Sequence, residues 1–363
     1  MVTLPERTTA VSYLTPARSW RGRARVSCGA PVTGGGDAPR VATADTPASA
    51  AAASSAISAG RSLRGTGSPY TPAAVEPPIP LVEGVTHRDV VVDGLRIHVA
   101  EAGSGSPVVL QHGWPQHWWA WRKVIPALAE HHRVICPDLR GFGWSAAPGD
   151  GDMLKERLAR DLIGVLDALG LERVALAGHD WGAFAGFLAC LRAPERFSGF
   201  GAMAIIHPWP PVARPTPKRL ASVSYQFVIA APLIGGAFLR QPAMARRFLA
   251  RAGGGVWSTE EVDEYAAALS RPSTADATVA LYRQFLVKEL KPLTSGRYAD
   301  ARLQVPTRMI VGERDPVITA DGLAGFETHA DEMTLEWVPA AAHWLPEQVP
   351  ELVVERIAAL PAP

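Results

Sequence analysis

The stretch GHDWGA, residues 178–183, follows the apolar run Val174-Ala175-Leu176-Ala177 and opens a segment with helical patterning. Its spacing, Gly178-x-Asp180-x-Gly182, is that of a nucleophile elbow, the strand-to-helix turn that ordinarily presents a serine. Small residues on either side let the chain turn sharply and lift one side chain above the sheet edge. An aspartate there, with a reference pKa of about 3.9, is ionised at neutral pH and needs no base to act as a nucleophile. Attack by it leaves an ester of the protein itself. The competing reading, Asp180 as a cap for the next helix, leaves both glycines unexplained.

Outward from the elbow, the chain has an α/β rhythm. HRDVVV and LRIHVA flank Asp93-Gly94 and read as a hairpin. Short apolar strands follow from Pro107, Arg133, Arg173, Gly201 (GAMAII), Thr307 and Thr334, alternating with helical stretches such as Leu154 to Leu169 and Pro350 to Leu360. Such alternation predicts a mostly parallel, eight-stranded sheet covered by helices on both faces. Between Pro208 and about Ala301 the rhythm stops and only helices are expected: Ser258 and Glu261 have capping-box spacing, and Ala275 to Leu290 reads as one continuous helix. The division expected is a core over 81–208 and 301–363 and a helical lid over 209–300. The apolar run Phe227 to Phe238 is broken by Pro232 and too short for a membrane span, so it is expected to face a pocket.

Composition narrows the function classes. The 363 residues are 47% hydrophobic and 20% charged, with net charge +1, which gives no long-range attraction to nucleic acid or acidic lipid. Cys28, Cys136 and Cys190 have neither disulfide-framework nor zinc spacing, which fits a reducing cytoplasm. Residues 1–80 are rich in Ala, Ser, Gly, Pro, Thr and Arg (TPASAAAASSAISAG, for example) and are expected to be disordered. Their basic, acid-poor start has the composition of a transit segment, but a cytoplasmic protein is expected, with translation beginning near Val75 as the alternative account of this stretch.

An enzyme ester has to be hydrolysed, which calls for a base on water and an acid to orient that base. GERDPV puts Asp315, and AAHWLPEQ puts His343, just past successive strands. The order Asp180, Asp315, His343 is the nucleophile, acid, histidine order of such sites. Glu313, Asp331 and Glu332 are the nearby alternatives for the acid. In QHGWPQHWWAWR, from Gln111, Gly113 and Pro115 shape a turn after His112 that aims the Trp114 amide at the site, beside the Trp181 amide, as an oxyanion hole. Trp118, Trp119 and Trp121 read as core packing. A tyrosine stays protonated at neutral pH and can donate to a leaving oxygen. Tyr225 and Tyr282 lie in apolar helical stretches between Pro208 and Ala301, and spacing alone makes Tyr282 equally a core residue.

Over roughly residues 81 to 358 these motifs resemble the epoxide hydrolases of the α/β-hydrolase fold, most nearly bacterial ones. His112-Gly113-Trp114-Pro115 is similar to the family's H-G-x-P motif, and GHDWGA to its nucleophile motif. The resemblance implies Asp315 as relay acid, His343 as water-activating base, and Tyr225 and Tyr282 as the two lid tyrosines that hold and protonate the epoxide oxygen. It implies no cofactor and no metal, with a small hydrophobic epoxide and water as the reaction partners. The aromatic mouth, with Trp209 and Trp344 as pocket residues, agrees with such a substrate. His207, in HPWP, reads as structural. Ala342 stands where such sequences commonly have glycine, and the N-terminal segment has no counterpart. A haloalkane dehalogenase would share Asp180 and hold halide on the Trp181 indole. A non-catalytic binding protein of the same fold is the rival of another class, and a serine esterase is disfavoured by the elbow.

Overall fold

The computed structural model describes residues 77–211, 216–231 and 233–363. The expected disorder of 1–80 therefore falls almost wholly outside the described residues, as does Cys28. Eight strands, Thr86–Val92 (β1), Leu95–Ala102 (β2), Ser106–Gln111 (β3), His132–Pro137 (β4), Val174–His179 (β5), Phe197–Met203 (β6), Thr307–Gly312 (β7) and Met333–Val338 (β8), form one sheet in the order β1-β2-β4-β3-β5-β6-β7-β8. β2 is antiparallel to β1 and β4, and the other neighbours are parallel. The hairpin turns on Asp93 (φ 47) and Gly94 (φ 79), the left-handed pair that a two-residue turn with right-handed strand twist requires.

The inner strands alternate their side chains between two apolar layers. Along β5, Val174 and Leu176 join a cluster with α2 (Lys155–Ala168) and α3 (Trp181–Arg192), where Leu158, Leu162, Phe184 and Phe187 pack. Ala175 and Ala177 face the other layer, with Trp118, Trp121, α1 (Ile125–Ala129) and the C-terminal helix Pro350–Ala358. Trp118 and Trp121 are fully buried there, so their rings are core. Cys136 and Cys190 are buried free thiols whose pKa burial drives up.

Between β6 and β7 the described chain forms helices alone: α4 (Pro217–Ala230), α5 (Ile234–Leu239), α6 (Pro242–Gly253), α7 (Thr259–Leu269), α8 (Pro272–Gln284) and α9 (Leu290–Thr294). The Ser258–Glu261 capping box is formed in both directions.

Three local expectations change. The strand expected from Gly201 to Ile206 spans Phe197–Met203 instead, because Phe197 and Phe200 bury among the α3 side chains, while Ala204 takes φ 52 and ends the ladder. The helix expected over 275–290 is interrupted by a π-helical turn at Phe285–Glu289. Pro292, just beyond it, lacks the amide that would carry an α-helical ladder through. The run Phe227–Phe238 does not all face a pocket: Phe227, Val228 and Ile234 are more than half-exposed or nearly so, whereas Ile229 and Leu239 are buried. With a 3.6-residue period, the face that turns Tyr225 and Ile229 inward turns Phe227 and Val228 out.

The elbow itself is tightly enclosed. A Cβ on Gly182 would press into the Gln111 and His112 carbonyls, both of them backbone. Gly182→Ala is expected to lower unfolding stability by roughly 1–3 kcal/mol, as overpacking does; thermal denaturation against the parent protein checks it.

Candidate active site

Asp180 lies between the last residue of β5 and the first of α3 with φ 51 and ψ −131. That backbone region is costly for any residue with a Cβ, and it turns the carboxylate up from the sheet's C-terminal edge, where ligands of open α/β sheets sit. Glycines make room for it. A Cβ on Gly113 would lie 2.5 Å from the Asp180 Cβ, and one on Gly178 2.6 Å from the Ala183 Cα.

The loop after β3 supplies the first partner. The Trp114 amide donates to Asp180 Oδ1 at 2.9 Å. His112 braces this loop: Nε2 accepts the Leu139 amide at 2.9 Å and Nδ1–H donates to the Gly113 carbonyl at 3.0 Å. Burial holds its pKa below the ordinary value despite the nearby Asp138 charge, so His112 is a neutral strut. The Trp114–Pro115 peptide is cis. Trp181 opens α3, and a first-turn amide has no partner inside its own helix.

His343 stands between two carboxylates. Its Nδ1–H donates to Asp315 Oδ2 at 2.8 Å, and its Nε2 lies 3.6 Å from Asp180 Oδ2. Asp315 Oδ1 accepts the Val317 and Ile318 amides at 2.8 and 3.0 Å. Burial works against its ionisation, yet His343 and those amides outweigh burial and hold its pKa below the usual carboxylate value. For His343, burial opposes the proton, but the charges of Asp315 and Asp180 prevail and lift the pKa to about 10. Of the alternatives for the acid, Asp331 pairs with Arg302, and His343 bonds to none of them. Ala342 is accommodated because the left-handed residue of this loop is Ala340, at φ 62.

Helices α4 and α8 bring Tyr225 and Tyr282 to the same place. Their rings are 5.9 Å apart, and both pack on Trp114, at 5.8 and 4.9 Å. Burial, then the Asp180 charge, pushes Tyr225 up to about 12. Burial, Tyr225 and Asp180 drive Tyr282 well above the phenol range. The Trp114 indole donates to Thr278 Oγ1 at 3.2 Å, tying the loop after β3 to α8. The Trp181 indole N–H is buried on the Tyr282 side of the site.

Trp344 packs edge-on against His343 at 4.8 Å and donates from Nε1 to the Ala252 carbonyl at 2.9 Å. Trp209 is not at this site. It stacks on His329 at 5.0 Å and 4° and donates to the Tyr298 carbonyl at 2.6 Å, because the chain leaves β6 toward the loops after β7 before α4 begins. His207 is buried beside it, accepting the Trp209 amide at 3.2 Å, which is a structural role.

Two buried groups escaped sequence reasoning. Asp138, just past β4, accepts the Trp118 and Trp144 amides at 2.7 and 2.9 Å and pairs with His98 at 2.8 Å. Burial disfavours its charge, but His98 and the neighbouring histidines hold its pKa down to about 2. A carboxylate one residue past a parallel strand was the legible signal. Lys155 lies 4.6 Å over the Trp181 ring and pairs with Glu289 of the π turn at 2.8 Å, a contact that distant segments make only when folded. Among the described residues no group of three or more His, Cys, Asp or Glu is placed to hold a metal ion, and no helix is long and apolar enough to cross a membrane.

A carboxylate, an imidazole facing it, an amide donor and two neutral phenols are thus gathered over one sheet edge. The alpha/beta hydrolase fold profile matches residues 106–348. The soluble epoxide hydrolase of Corynebacterium sp. (strain C12) is 48% identical over 103 residues, which is 28% of this chain and 36% of that protein. Epoxide hydrolase A of Mycobacterium tuberculosis is 32% identical over 311 residues, 73% of this chain and 94% of that protein. The solved structure of epoxide hydrolase CorEH without ligand aligns with a TM-score of 0.67 at 28% identity, covering 76% of this chain and 98% of that one. The chain spans between 36% and 40% of the length of the first curated relatives it matches. With a relative at 32% identity matched over 94% of its length and the fold profile across most of the described residues, the chain belongs to the alpha/beta hydrolase fold family and, within it, to the epoxide hydrolases.

Proposed function

We propose that the protein hydrolyses a small hydrophobic epoxide to a vicinal diol through an ester on Asp180. The observation that carries this reading is the pair of phenols from two different helices, side by side, on the Trp114 ring whose amide touches Asp180. A departing halide needs no proton, whereas an opening epoxide does. The aromatic surroundings of Trp114, Trp181, Phe248, Tyr225 and Tyr282 favour an apolar substrate. Helices α4 to α9, within 209–300, act as the lid over a core of 81–208 and 301–363, and the free buried thiols suit a cytoplasmic setting.

In the first step an Asp180 oxygen bonds to an epoxide carbon, the C–O pair passes to the ring oxygen, and Tyr225 or Tyr282 gives that oxygen its proton. The product is a hydroxyalkyl ester and a phenolate. Esterification removes one of the two negative charges that hold the His343 proton, so its pKa falls and the phenolate recovers a proton at the expense of the imidazolium. His343 is then neutral and oriented by Asp315. It takes a proton from water as the hydroxide adds to the ester carbonyl, the Trp114 and Trp181 amides hold the oxyanion, and its collapse breaks the ester C–O bond to expel an alkoxide; the alkoxide takes the proton of the newly formed carboxylic acid, which gives the diol and the Asp180 carboxylate with His343 again an imidazolium.

Several measurements test this. Asp180→Ala is expected to lower diol formation from aryl and alkyl epoxides by at least about 10⁴-fold; diol formation at the parent rate would overturn the scheme. Replacing both tyrosines, as Tyr225→Phe with Tyr282→Phe, is expected to cost about 10² to 10⁴-fold, with each single change costing less because the other phenol remains. The buried Trp181 indole N–H beside Tyr282, a donor that could hold halide, supports the second reading, a dehalogenase. Halide release from matched haloalkanes, unchanged in the double phenylalanine variant and unaccompanied by diol from epoxides, would establish that instead. Asp180→Asn mimics the uncharged ester, and His343 is expected to titrate below the value of about 10 found beside ionised Asp180. Imidazole-proton NMR titration of the two proteins reads the difference, and an unchanged value would remove the electrostatic timing from the mechanism.

A further inference from the structure

His179, the last residue of β5 and the chain neighbour of Asp180, is fully buried and has no part in the scheme above. Its Nε2–H donates to the main-chain carbonyl of His343 at 2.8 Å, and the Leu345 amide donates to the same oxygen at 3.0 Å. The ring also packs against those of His343, at 5.1 Å, and Trp344, at 5.8 Å. Its Nδ1 has no hydrogen-bond partner among the described residues. Burial, with His343 alongside, brings its pKa down to about 4, so at neutral pH it is an uncharged donor beside the charged histidine.

The other ties of the base loop come from elsewhere. The Arg314 amide, after β7, holds the Ala341 carbonyl at 2.9 Å, and the Ala342 amide donates to the Gln348 side chain at 3.0 Å. Neither reaches the strand that carries the nucleophile. The bond from His179 does, one residue away from Asp180.

We infer that His179 is a positioning residue for ester hydrolysis, holding the His343 backbone to the strand that ends in Asp180 and so setting the span between nucleophile and base. The inference rests on the epoxide-hydrolase reading for its kinetic consequence, though not for the contact itself. Alkylation uses Asp180 and the tyrosines, but hydrolysis needs a water fitted between His343 Nε2 and the ester carbonyl. Misplacement of a reacting group by 1 Å costs on the order of 100-fold, so loosening this tie slows the second step selectively. Because only the donation from Nε2 is used, a glutamine amide can replace it.

The test uses the full-length protein with His179→Leu and His179→Gln, styrene oxide as probe, and rapid-quench intact mass to follow the ester. In the leucine variant, ester hydrolysis is expected to fall roughly 100-fold while ester formation changes by no more than about 3-fold, so that ester accumulates. The glutamine variant is expected to recover most of the loss. In parallel, the His343 Nδ1–H proton resonance, sheltered by Asp315 in the parent, is expected to be lost to exchange in the leucine variant and retained in the glutamine one. Hydrolysis at the parent rate with the resonance intact in the leucine variant would overturn the inference, as would equal loss of both steps in both variants. Should neither the parent nor His343→Gln form an ester, the epoxide reading fails, and the NMR comparison alone then decides the positioning role.

Discussion

The arrangement depends on one strained residue. Asp180 is held at φ 51 and ψ −131, a conformation that costs about 1–3 kcal/mol where glycine is absent. It persists because β5 and α3, both fully buried over most of their length, fix the chain on each side. Gly113, Gly178 and Gly182 leave out the side chains that would otherwise collide with the Asp180 side chain, the start of α3 and the loop after β3. The strain is what lifts the carboxylate clear of the sheet to meet a loop amide below and the imidazole beside it.

Around that carboxylate, charge is arranged about one imidazole. His343 is held between Asp180 and Asp315, and the two negative charges outweigh the penalty of burying its positive one. Asp315 stays a carboxylate through two backbone amides and His343, so its influence is constant. The charge of Asp180 is the one that the proposed ester would remove. The phenols carry no such switch, since burial beside a negative charge keeps them protonated throughout the neutral range.

Three buried polar links hold the pieces in register. His112 braces the loop that bears the Trp114 amide, Asp138 gathers two backbone amides and His98 behind it, and Lys155 with Glu289 backs the Trp181 ring from the π turn. Each joins segments that are far apart in sequence, and each leaves its charged or polar atoms satisfied where water is excluded.

The linear order of strand, elbow, acid loop and histidine loop determined the fold and the set Asp180, Asp315 and His343, because apolar periodicity and turn residues are local properties that a sequence carries directly. From spacing alone the tyrosines were legible only as residues of apolar helical stretches, Tyr282 equally a core residue, and their expected role came from the family resemblance. Their meeting over Trp114 depends on how α4 and α8 cross, which side-chain packing settles. Trp209 shows the reverse: its aromatic character suggested the pocket, but the route of the chain after Ala204 carries it to His329. The gathering of two amides and His98 on Asp138, the pairing of Lys155 with Glu289 and the grip of His179 on the His343 carbonyl were decided by tertiary structure alone, since burial and contacts between segments apart in sequence exist only once the chain has folded.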